Sequence, residues 1–405
     1  MTKLPKSAAW LLAILVLPAC AEPAGSPSGT GPAPVAEGIR FVCAPDQVQV
    51  VALEMDDYLA SLGIASALVV KHLDTDRGVL NYVLNTPGNE FTTLDFAQRP
   101  AFGIRDEMVS LPARSGRERT IAVVSRKEIV LTMLQHGRLT EFRGGACDVE
   151  ALKDHVGIRQ NTAAWAAVLN WVWPDGEAAQ WNKAYWDRGT PVPNIPLHEA
   201  LSDVFLQPES YSFGCYTAAK MVIVQGMLDF YRRVKKDPER LQQLEHRLYM
   251  DNDPLVDVEP EAMWDFESAY QSRQRPRPGK LLRVKRQVAP GNFVPGDWVY
   301  FLNTDSATYA KTGYEGSNPI YLGRGRFSDY FNDHHHAYSF EQKLDQVYQW
   351  RNGVFSFSRD GHKRVALTDA DLLRLGRTPA EGGLVMDFRG EQYFLGFEEL
   401  PAMPE

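Results

Sequence analysis

The most regular hydrophobic pattern of the 405-residue chain lies near its middle, where small and apolar residues recur at spacings of three and four. The repeat runs through Ala219, Val222, Ile223, Gly226, Met227 and Phe230. This spacing puts the residues on one face of a helix, which we predict over 216–234. Cys215 lies four residues before Ala219 and therefore falls on the same core-facing stripe.

The rest of the pattern indicates an α+β fold. Helical spacing predicts further helices at 47–62, 126–136, 161–173, 196–205 and 341–350. Short apolar runs predict strands at 121–124, 297–302, 319–322, 353–357 and 383–388. Because most strands follow the helices instead of alternating with them, the order favours α+β. The part at 38–155 is interpreted as a smaller N-terminal α/β module of unknown role.

The first residues of the chain are typical of an export signal. Two lysines precede the apolar run AAWLLAILVL at 8–17, which is short for a membrane-spanning helix. The run is followed by Leu-Pro-Ala-Cys, which resembles a lipobox, the signal in which the cysteine is acylated and becomes the new N-terminus. We therefore expect a signal peptide at 1–19 and a lipid anchor on Cys20. A plain secretory signal with a chance cysteine is the alternative.

The segment at 20–37 is rich in Pro, Gly, Ser and Ala, so we predict a flexible tether. A multiply acylated Cys20 followed by a tether would hold an exported protein stably on a membrane. Ala21 differs from the Asp that is associated with inner-membrane retention. This difference favours an outer-membrane location facing the periplasm.

The remaining cysteines fall into a predicted pair and a single residue. Disulfides persist outside the cytoplasm, and Cys43 and Cys147 flank the same N-terminal region, so we predict that they pair. Cys215 is left over. An odd cysteine in an exported protein is a candidate reactive thiol, and a buried inert cysteine is the alternative.

Charge excludes some functions. The formal net charge is -8 and no long basic run occurs, so we expect no nucleic-acid partner. The acidic segment at 251–262 lacks the glycine that an EF-hand calcium loop requires, and we interpret it as a solvated loop. No metal or organic cofactor is predicted.

The position of Cys215 at the start of its predicted helix suits a nucleophile. The first-turn N–H groups of a helix lack intrahelical partners and form a positive pole. A thiolate there is stabilised, which lowers the thiol pKa, and the N–H groups of Cys215 and Tyr216 could receive an oxyanion. Gly214 would let a substrate approach the backbone closely. A structural helix-start cysteine is the alternative.

Several motifs between residues 155 and 352 together resemble one enzyme family. They are RQN at 159–161, AYW at 184–186, ALSDVF at 200–205, YSFGCYTA at 211–218, PGDWVYF at 295–301 and YEGSNPIYLG at 314–323. Their order and spacing resemble the spore-associated type of bacterial protein-glutamine gamma-glutamyltransferase, or transglutaminase. The resemblance implies a papain-like or NlpC/P60-like core, in which the cysteine helix packs on an antiparallel sheet. We expect this catalytic domain over 156–405.

Two positions depart from the family pattern. The family has Glu where this chain has Gly214, and its catalytic Glu lies where this chain has Ser317. NlpC/P60 peptidases have their base His at the same Ser317. We expect Glu315 to compensate, because residues two apart on a strand face the same side. His336, from the run at 334–336, keeps the register of a family His and could pair with the cysteine. A solvated loop is the alternative for that run.

The implied reaction joins a protein glutamine to a lysine amine through a thioester on Cys215. Two other functions stay open. The PGDWVYF strand also resembles the first core strand of NlpC/P60 cysteine peptidases, which favours a peptidase or amidase acting on cell-wall peptides. Loss of the two family carboxylates favours a catalytically degenerate binding lipoprotein.

Overall fold

The computed structural model describes residues 37–86, 92–175, 177–187, 190–192, 194–250, 282–311, 313–331, 337–355 and 361–392. The predicted signal peptide, Cys20, residues 20–36 of the tether, the acidic segment at 251–262 and His336 lie outside the described residues. Within the described residues, no helix is both long enough and apolar enough to cross a bilayer.

The α-helices of the described part are α1 (Val48–Ser61), α2 (Arg126–Met133), α3 (Val149–Ala166), α4 (Leu197–Leu206), α5 (Cys215–Asp229), α6 (Pro238–Met250), α7 (Ser306–Tyr309), α8 (Phe340–Gln349) and α9 (Asp369–Leu375). Helix α5 continues into a π-helical turn at Phe230–Lys235. The helices predicted at 47–62, 126–136, 196–205, 216–234 and 341–350 are therefore present, with ends shifted by a few residues.

The strands of the described part are β1 (Gly38–Val42), β2 (Val69–Asp74), β3 (Val79–Leu84), β4 (Glu107–Pro112), β5 (Glu118–Val123), β6 (Leu139–Arg143), β7 (Trp186–Asp187), β8 (Thr190–Pro191), β9 (Leu282–Arg286), β10 (Phe301–Leu302), β11 (Gly316–Ser317), β12 (Tyr321–Gly323), β13 (Arg326–Ser328), β14 (Ala337–Ser339) and β15 (Phe388–Gln392). The chain is thus a mixture of helix and sheet, as the α+β prediction requires.

The N-terminal part forms a four-stranded sheet in the order β2-β3-β1-β6. Strands β1 and β6 run parallel, and the other pairs are antiparallel. Helix α1 presents a stripe of Val48, Val51, Ala52 and Met55 to the core, which is the spacing that buries one face of a helix. A disulfide joins Cys43 to Cys147, the pair that we predicted. It ties the end of β1 to the segment that precedes α3.

Helix α3 crosses the predicted domain boundary. It begins at Val149, where Asp148 accepts a hydrogen bond from the Ala151 N–H, and it ends at Ala166. The helix predicted at 161–173 was therefore wrong at both ends, because the Asp148 cap starts the helix earlier and Trp171 enters a β-bridge. The boundary expected between 155 and 156 lies inside this helix. From residue 37 onward, the described residues form one compact unit.

Helix α5 is the buried centre of the fold. After Cys215 each of its residues through Asp229 is buried. It crosses α3 at close range, because a Cβ added at Gly226 would lie 2.1 Å from the Thr162 Oγ1. The side chain of Asp229 accepts hydrogen bonds from Asn161 and Trp165 of α3. These contacts fix the helix that carries Cys215.

The sheets of the C-terminal half are short. Strand β10 pairs with β11, β9 pairs with β15, and β12, β13 and β14 form an antiparallel sheet. The strand predicted at 297–302 is reduced to β10, and Trp298 makes isolated bridges to Ile320 and Gly390 instead. The strand predicted at 353–357 is not formed over its described residues, 353–355.

A buried ionic cluster joins the two halves. Arg138 and Arg159 both bind the carboxylates of Asp297 and Glu391, and all four side chains are almost fully buried. Arg138 precedes β6 of the N-terminal sheet, whereas Glu391 lies in β15. Burial alone would raise the pKa of Asp297, but the guanidinium groups of Arg138 and Arg159 lower it overall.

Candidate active site

Cys215 is the first residue of α5, and its side chain is partly exposed. Gly214 is the N-cap and accepts a hydrogen bond through its carbonyl from the Ala218 N–H, at 3.0 Å. A glycine has no side chain with which to cap the first-turn amides. Apart from its chain neighbours, a Cβ at Gly214 would meet no atom within 4 Å, so a side chain at this position would find open space.

Two residues of the segment 316–318 contact the Cys215 sulfur. The thiol donates to the Gly316 carbonyl at 3.6 Å, and the Asn318 Nδ2 donates to the Sγ at 3.2 Å. Trp298 Nε1 donates to the Asn318 Oδ1 at 3.0 Å. Because the indole N–H can only donate, it fixes the amide with its NH₂ group towards the sulfur.

Asn318 was not among the predicted site residues, although it belongs to a motif that carries the family resemblance. Its carbonyl also accepts a hydrogen bond from the Tyr330 hydroxyl at 2.8 Å, so both ends of the residue are fixed. Tyr216 was a predicted near-site residue. Its ring packs edge-on against that of Trp298, with the ring centres 5.4 Å apart.

The pKa of the Cys215 thiol is raised overall. Burial raises it most, the amide groups of Asn318 lower it, the Glu315 carboxylate raises it and Lys343 lowers it. We expected the helix start to lower this pKa. That expectation was wrong, because desolvation of the sulfur disfavours the charged thiolate and has the largest effect on the pKa.

A small cleft opens next to the sulfur; the space between its lining atoms, including open solvent, amounts to about 410 Å³. Aromatic side chains form much of its wall: Trp173, Tyr314, Tyr330, Phe331 and Trp350. Cys215, Ser317, Asp329, Lys343 and Gln346 contribute polar groups to the same cleft. Within the described ranges, no three His, Cys, Asp or Glu residues form a group that could hold a metal ion.

Comparison with known proteins decides the family. A family model described as protein-glutamine gamma-glutamyltransferase matches residues 122–347, more than half of the chain. The chain belongs to this family.

The similar proteins are distant. Protein-glutamine gamma-glutamyltransferases of Bacillus cereus (strain G9842) and Bacillus anthracis are each 27% identical over 147 residues, which is 35% of this chain and 42% of each relative. This chain thus matches less than half the length of these curated relatives. A solved transglutaminase from Geobacillus stearothermophilus, without its C-terminal extension, is 17% identical, with coverage of 63% of this chain and 97% of that one and a TM-score of 0.35.

The two departures from the transglutaminase pattern have different surroundings. At Gly214 the missing carboxylate leaves open space. At Ser317 the hydroxyl oxygen accepts a hydrogen bond from the Lys343 Nζ at 3.3 Å. Ser317 is buried and pairs with Phe301 in the short β10–β11 ladder.

Glu315 lies one residue before β11, and its negative charge raises the pKa of the Cys215 thiol. One carboxylate oxygen accepts a hydrogen bond from the Gly313 N–H at 2.9 Å. Its carbonyl accepts from the Tyr300 hydroxyl, also at 2.9 Å. The structure therefore places Cys215 and Ser317 at one cleft, and Glu315 directly before the Gly316 carbonyl that contacts the sulfur, whereas His336 lies outside the described residues.

Proposed function

We propose that this transglutaminase-family chain is an active protein-glutamine gamma-glutamyltransferase that forms isopeptide cross-links between glutamine and lysine side chains. The observation that carries the proposal is the position of Cys215. Cys215 is the first residue of a buried helix. Its sulfur receives a hydrogen bond from the Asn318 amide and borders a cleft lined by aromatic side chains. A nucleophilic thiol at the mouth of a largely apolar cleft suits acyl transfer with restricted access of water.

The first half of the reaction forms a thioester. The Cys215 sulfur attacks the carboxamide carbon of a glutamine, and the thiol proton passes to Glu315 or His336. The N–H groups at the start of α5 receive the oxyanion. The carbon–nitrogen bond then breaks, and the amide nitrogen takes the proton and leaves as ammonia.

The second half transfers the acyl group. A lysine amine attacks the thioester carbon, its surplus proton returns to the sulfur through the same carrier, and the isopeptide is released with Cys215 regenerated. Water attacking in place of the amine would give deamidation. The aromatic side chains that line the cleft disfavour this side reaction by limiting the space for water.

We also propose a more specific fold class for the part that carries Cys215. A papain-like or NlpC/P60-like core is supported by a cysteine at the start of a buried helix and by the antiparallel strands β10 and β11, which lie next to it. The isolated bridges of Trp298 would extend this small sheet.

Export and anchoring are also proposed. The disulfide between Cys43 and Cys147 is compatible with an oxidising compartment. We propose cleavage after residue 19, acylation of Cys20 and an outer-membrane location that faces the periplasm. Metabolic labelling with a fatty acid, lost in Cys20→Ser, would support the anchor. Labelling that persists in this variant would contradict it.

An assay of amine incorporation tests the function. The purified protein is given a glutamine-containing protein and a labelled primary amine, and separately cell-wall muropeptides. The proposal expects labelled protein with the wild type and none with Cys215→Ala. Cleavage of muropeptides without amine incorporation would favour the cysteine peptidase or amidase. If neither assay gives a product and Cys215 is unreactive, a binding protein would be favoured.

A further inference from the structure

A buried carboxylate forms part of the wall of the active-site cleft. Asp329 is 4% exposed and lines the cleft together with Cys215. Its Oδ1 accepts a hydrogen bond from the Phe331 N–H at 3.1 Å. Among the residues that the structure describes, no lysine, arginine or histidine forms an ion pair with this carboxylate. Because a buried charge is stabilised by an opposite charge, Asp329 is suited to bind a cation that enters the cleft.

The wall next to Asp329 is aromatic. The Phe331 ring packs edge-on against Trp173 with the ring centres 4.8 Å apart, and Trp173 packs against Tyr314 at 6.1 Å. All three side chains line the cleft. Aromatic rings pack well against aliphatic chains and attract cations over their faces. A lysine side chain, with its aliphatic chain and terminal ammonium, matches this wall and the carboxylate beside it.

Hydrogen bonds connect the segment of Asp329 to the reactive sulfur. Tyr330, the next residue, donates its hydroxyl to the Asn318 carbonyl at 2.8 Å. The Asn318 amide in turn donates to the Cys215 Sγ at 3.2 Å. The carboxylate and the sulfur are therefore held in one framework at the same cleft.

We propose that Asp329 binds the ammonium of the acceptor lysine and thereby selects charged primary amines as the second substrate. The proposal rests on the function given above and assigns the residue that determines acceptor specificity. An ion pair in a cleft that is partly shielded from water is stronger than one in bulk water. The bound ammonium gives up one proton to water, and the resulting amine attacks the thioester carbon.

Lys343 is a cationic side chain of the same cleft. Its Nζ donates to the Ser317 Oγ at 3.3 Å and to the Gln346 Oε1 at 2.9 Å. An incoming ammonium is repelled by Lys343 and attracted by Asp329, so the two side chains together favour binding at Asp329.

The test measures how well a lysine analogue protects Cys215 from alkylation by iodoacetamide, which requires no acyl transfer. The probe is Nα-acetyl-lysine methylamide, and Nα-acetyl-norleucine methylamide offers a similar aliphatic chain without the ammonium. In the wild type, half-protection should need about ten- to hundredfold less of the lysine probe than of the norleucine probe. Asp329→Asn keeps an acceptor for the Phe331 N–H but removes the charge. It should raise the half-protecting concentration of the lysine probe by about the same factor and leave that of the norleucine probe unchanged.

Asp175→Asn is the matched control, because Asp175 is an exposed carboxylate that accepts a hydrogen bond from the Tyr314 hydroxyl at 2.9 Å. It makes the same change of charge near the cleft and should leave protection by both probes unchanged. If Asp329→Asn does not fold, Asp329→Ser decides, because its hydroxyl can still accept from the Phe331 N–H.

Three results would overturn the proposal: equal protection of wild type and Asp329→Asn by the lysine probe, equal potency of the two probes on the wild type, or an equal loss in Asp175→Asn. Protection that depends on Asp329 without amine incorporation would uphold the ammonium site and reject the transglutaminase activity. Amine incorporation with protection that does not depend on Asp329 would reject the ammonium site and uphold the activity.

Discussion

At the residue scale, the reactivity of Cys215 depends on neighbours with opposing effects. Desolvation and Glu315 favour the neutral thiol, whereas Asn318 and Lys343 favour the thiolate. Asn318 makes the shorter of the two contacts to the sulfur, and Trp298 fixes its orientation. A single change at Asn318 should therefore alter the thiol without moving the helix.

Asn318→Asp should raise the thiol pKa further and slow alkylation of Cys215 at pH 7 by about tenfold. The aspartate keeps the acceptor for Trp298 but replaces an N–H donor to the sulfur with a negative charge, which disfavours the thiolate. The pH profile of alkylation is the measurement. Asn85→Asp, an exposed substitution in the N-terminal part, controls for the change in net charge. Faster alkylation of Asn318→Asp would contradict the hydrogen bond from the Asn318 amide to the sulfur.

Glu128 is a buried acid that should lower stability at high pH. Burial raises its pKa from 4.5 to about 7, although the Arg324 backbone N–H donates to it at 2.7 Å. Because the folded state favours the protonated acid, the penalty is absent below the unfolded pKa and grows until the pH passes about 7. Glu128→Gln should therefore increase the free energy of unfolding at pH 8, by at most on the order of 3 kcal/mol.

Urea unfolding of wild type and Glu128→Gln at pH 4 and pH 8 measures this effect. The two proteins should differ little at pH 4, because Glu128 is then protonated in both states. A variant that is less stable than wild type at pH 8 would show that the ionised carboxylate is satisfied.

The sequence was informative about Cys215 and less so about its neighbours. Cys215 could be found because helix periodicity and a local motif mark it. Lys343 could not be found, because a lysine on a helix is usually exposed and only the fold brings it to Ser317, 26 residues away in the sequence. Asn318 stood in a recognised motif, but only the fold brings its amide to the sulfur.

At the scale of elements, local periodicity predicted helices better than strands. Helix α5 makes its own hydrogen bonds, so its repeat of three and four is visible in the sequence. The segment at 297–302 instead divides its pairing between β11 and isolated bridges to Ile320, Gly390 and Val385. Partners that far along the chain are not encoded in the strand itself.

The buried ionic cluster should make a large contribution to holding these elements together. Arg138→Met should lower the free energy of unfolding by about 3–5 kcal/mol, because it leaves Asp297 and Glu391 with less compensation in the core. Arg143→Met is the matched control. Arg143 is an exposed arginine of β6 paired with Glu141, and its loss should cost about 0–1 kcal/mol. Urea unfolding at pH 7 compares them, and equal losses would contradict the account.

At the scale of the whole molecule, the N-terminal part forms one compact unit with the part that carries Cys215. Helix α3 passes from one to the other, and Arg138 binds Asp297 one residue before Trp298. Trp298 in turn holds Asn318 against the sulfur. These contacts connect the N-terminal part to the residues around the Cys215 sulfur.

The disulfide should stabilise this unit. Cys43 and Cys147 are 104 residues apart, so their link constrains a long loop of the unfolded chain. The double variant Cys43→Ser and Cys147→Ser should lose about 2–5 kcal/mol of unfolding free energy. Adding a reductant during urea unfolding should lower the stability of the wild type but not that of the variant. If the reductant lowered the stability of the wild type and the double variant equally, the disulfide between Cys43 and Cys147 would be contradicted.

The central claim is that Cys215 forms a thioester with a glutamine side chain. The most direct measurement is the intact mass of the protein after incubation with a short glutamine-containing peptide, without added amine, and quenching in acid. We predict a gain equal to the peptide mass less ammonia, located on Cys215, absent in Cys215→Ala and reversed by adding an amine. An unmodified sulfur in the folded protein, with the peptide intact, would contradict the account.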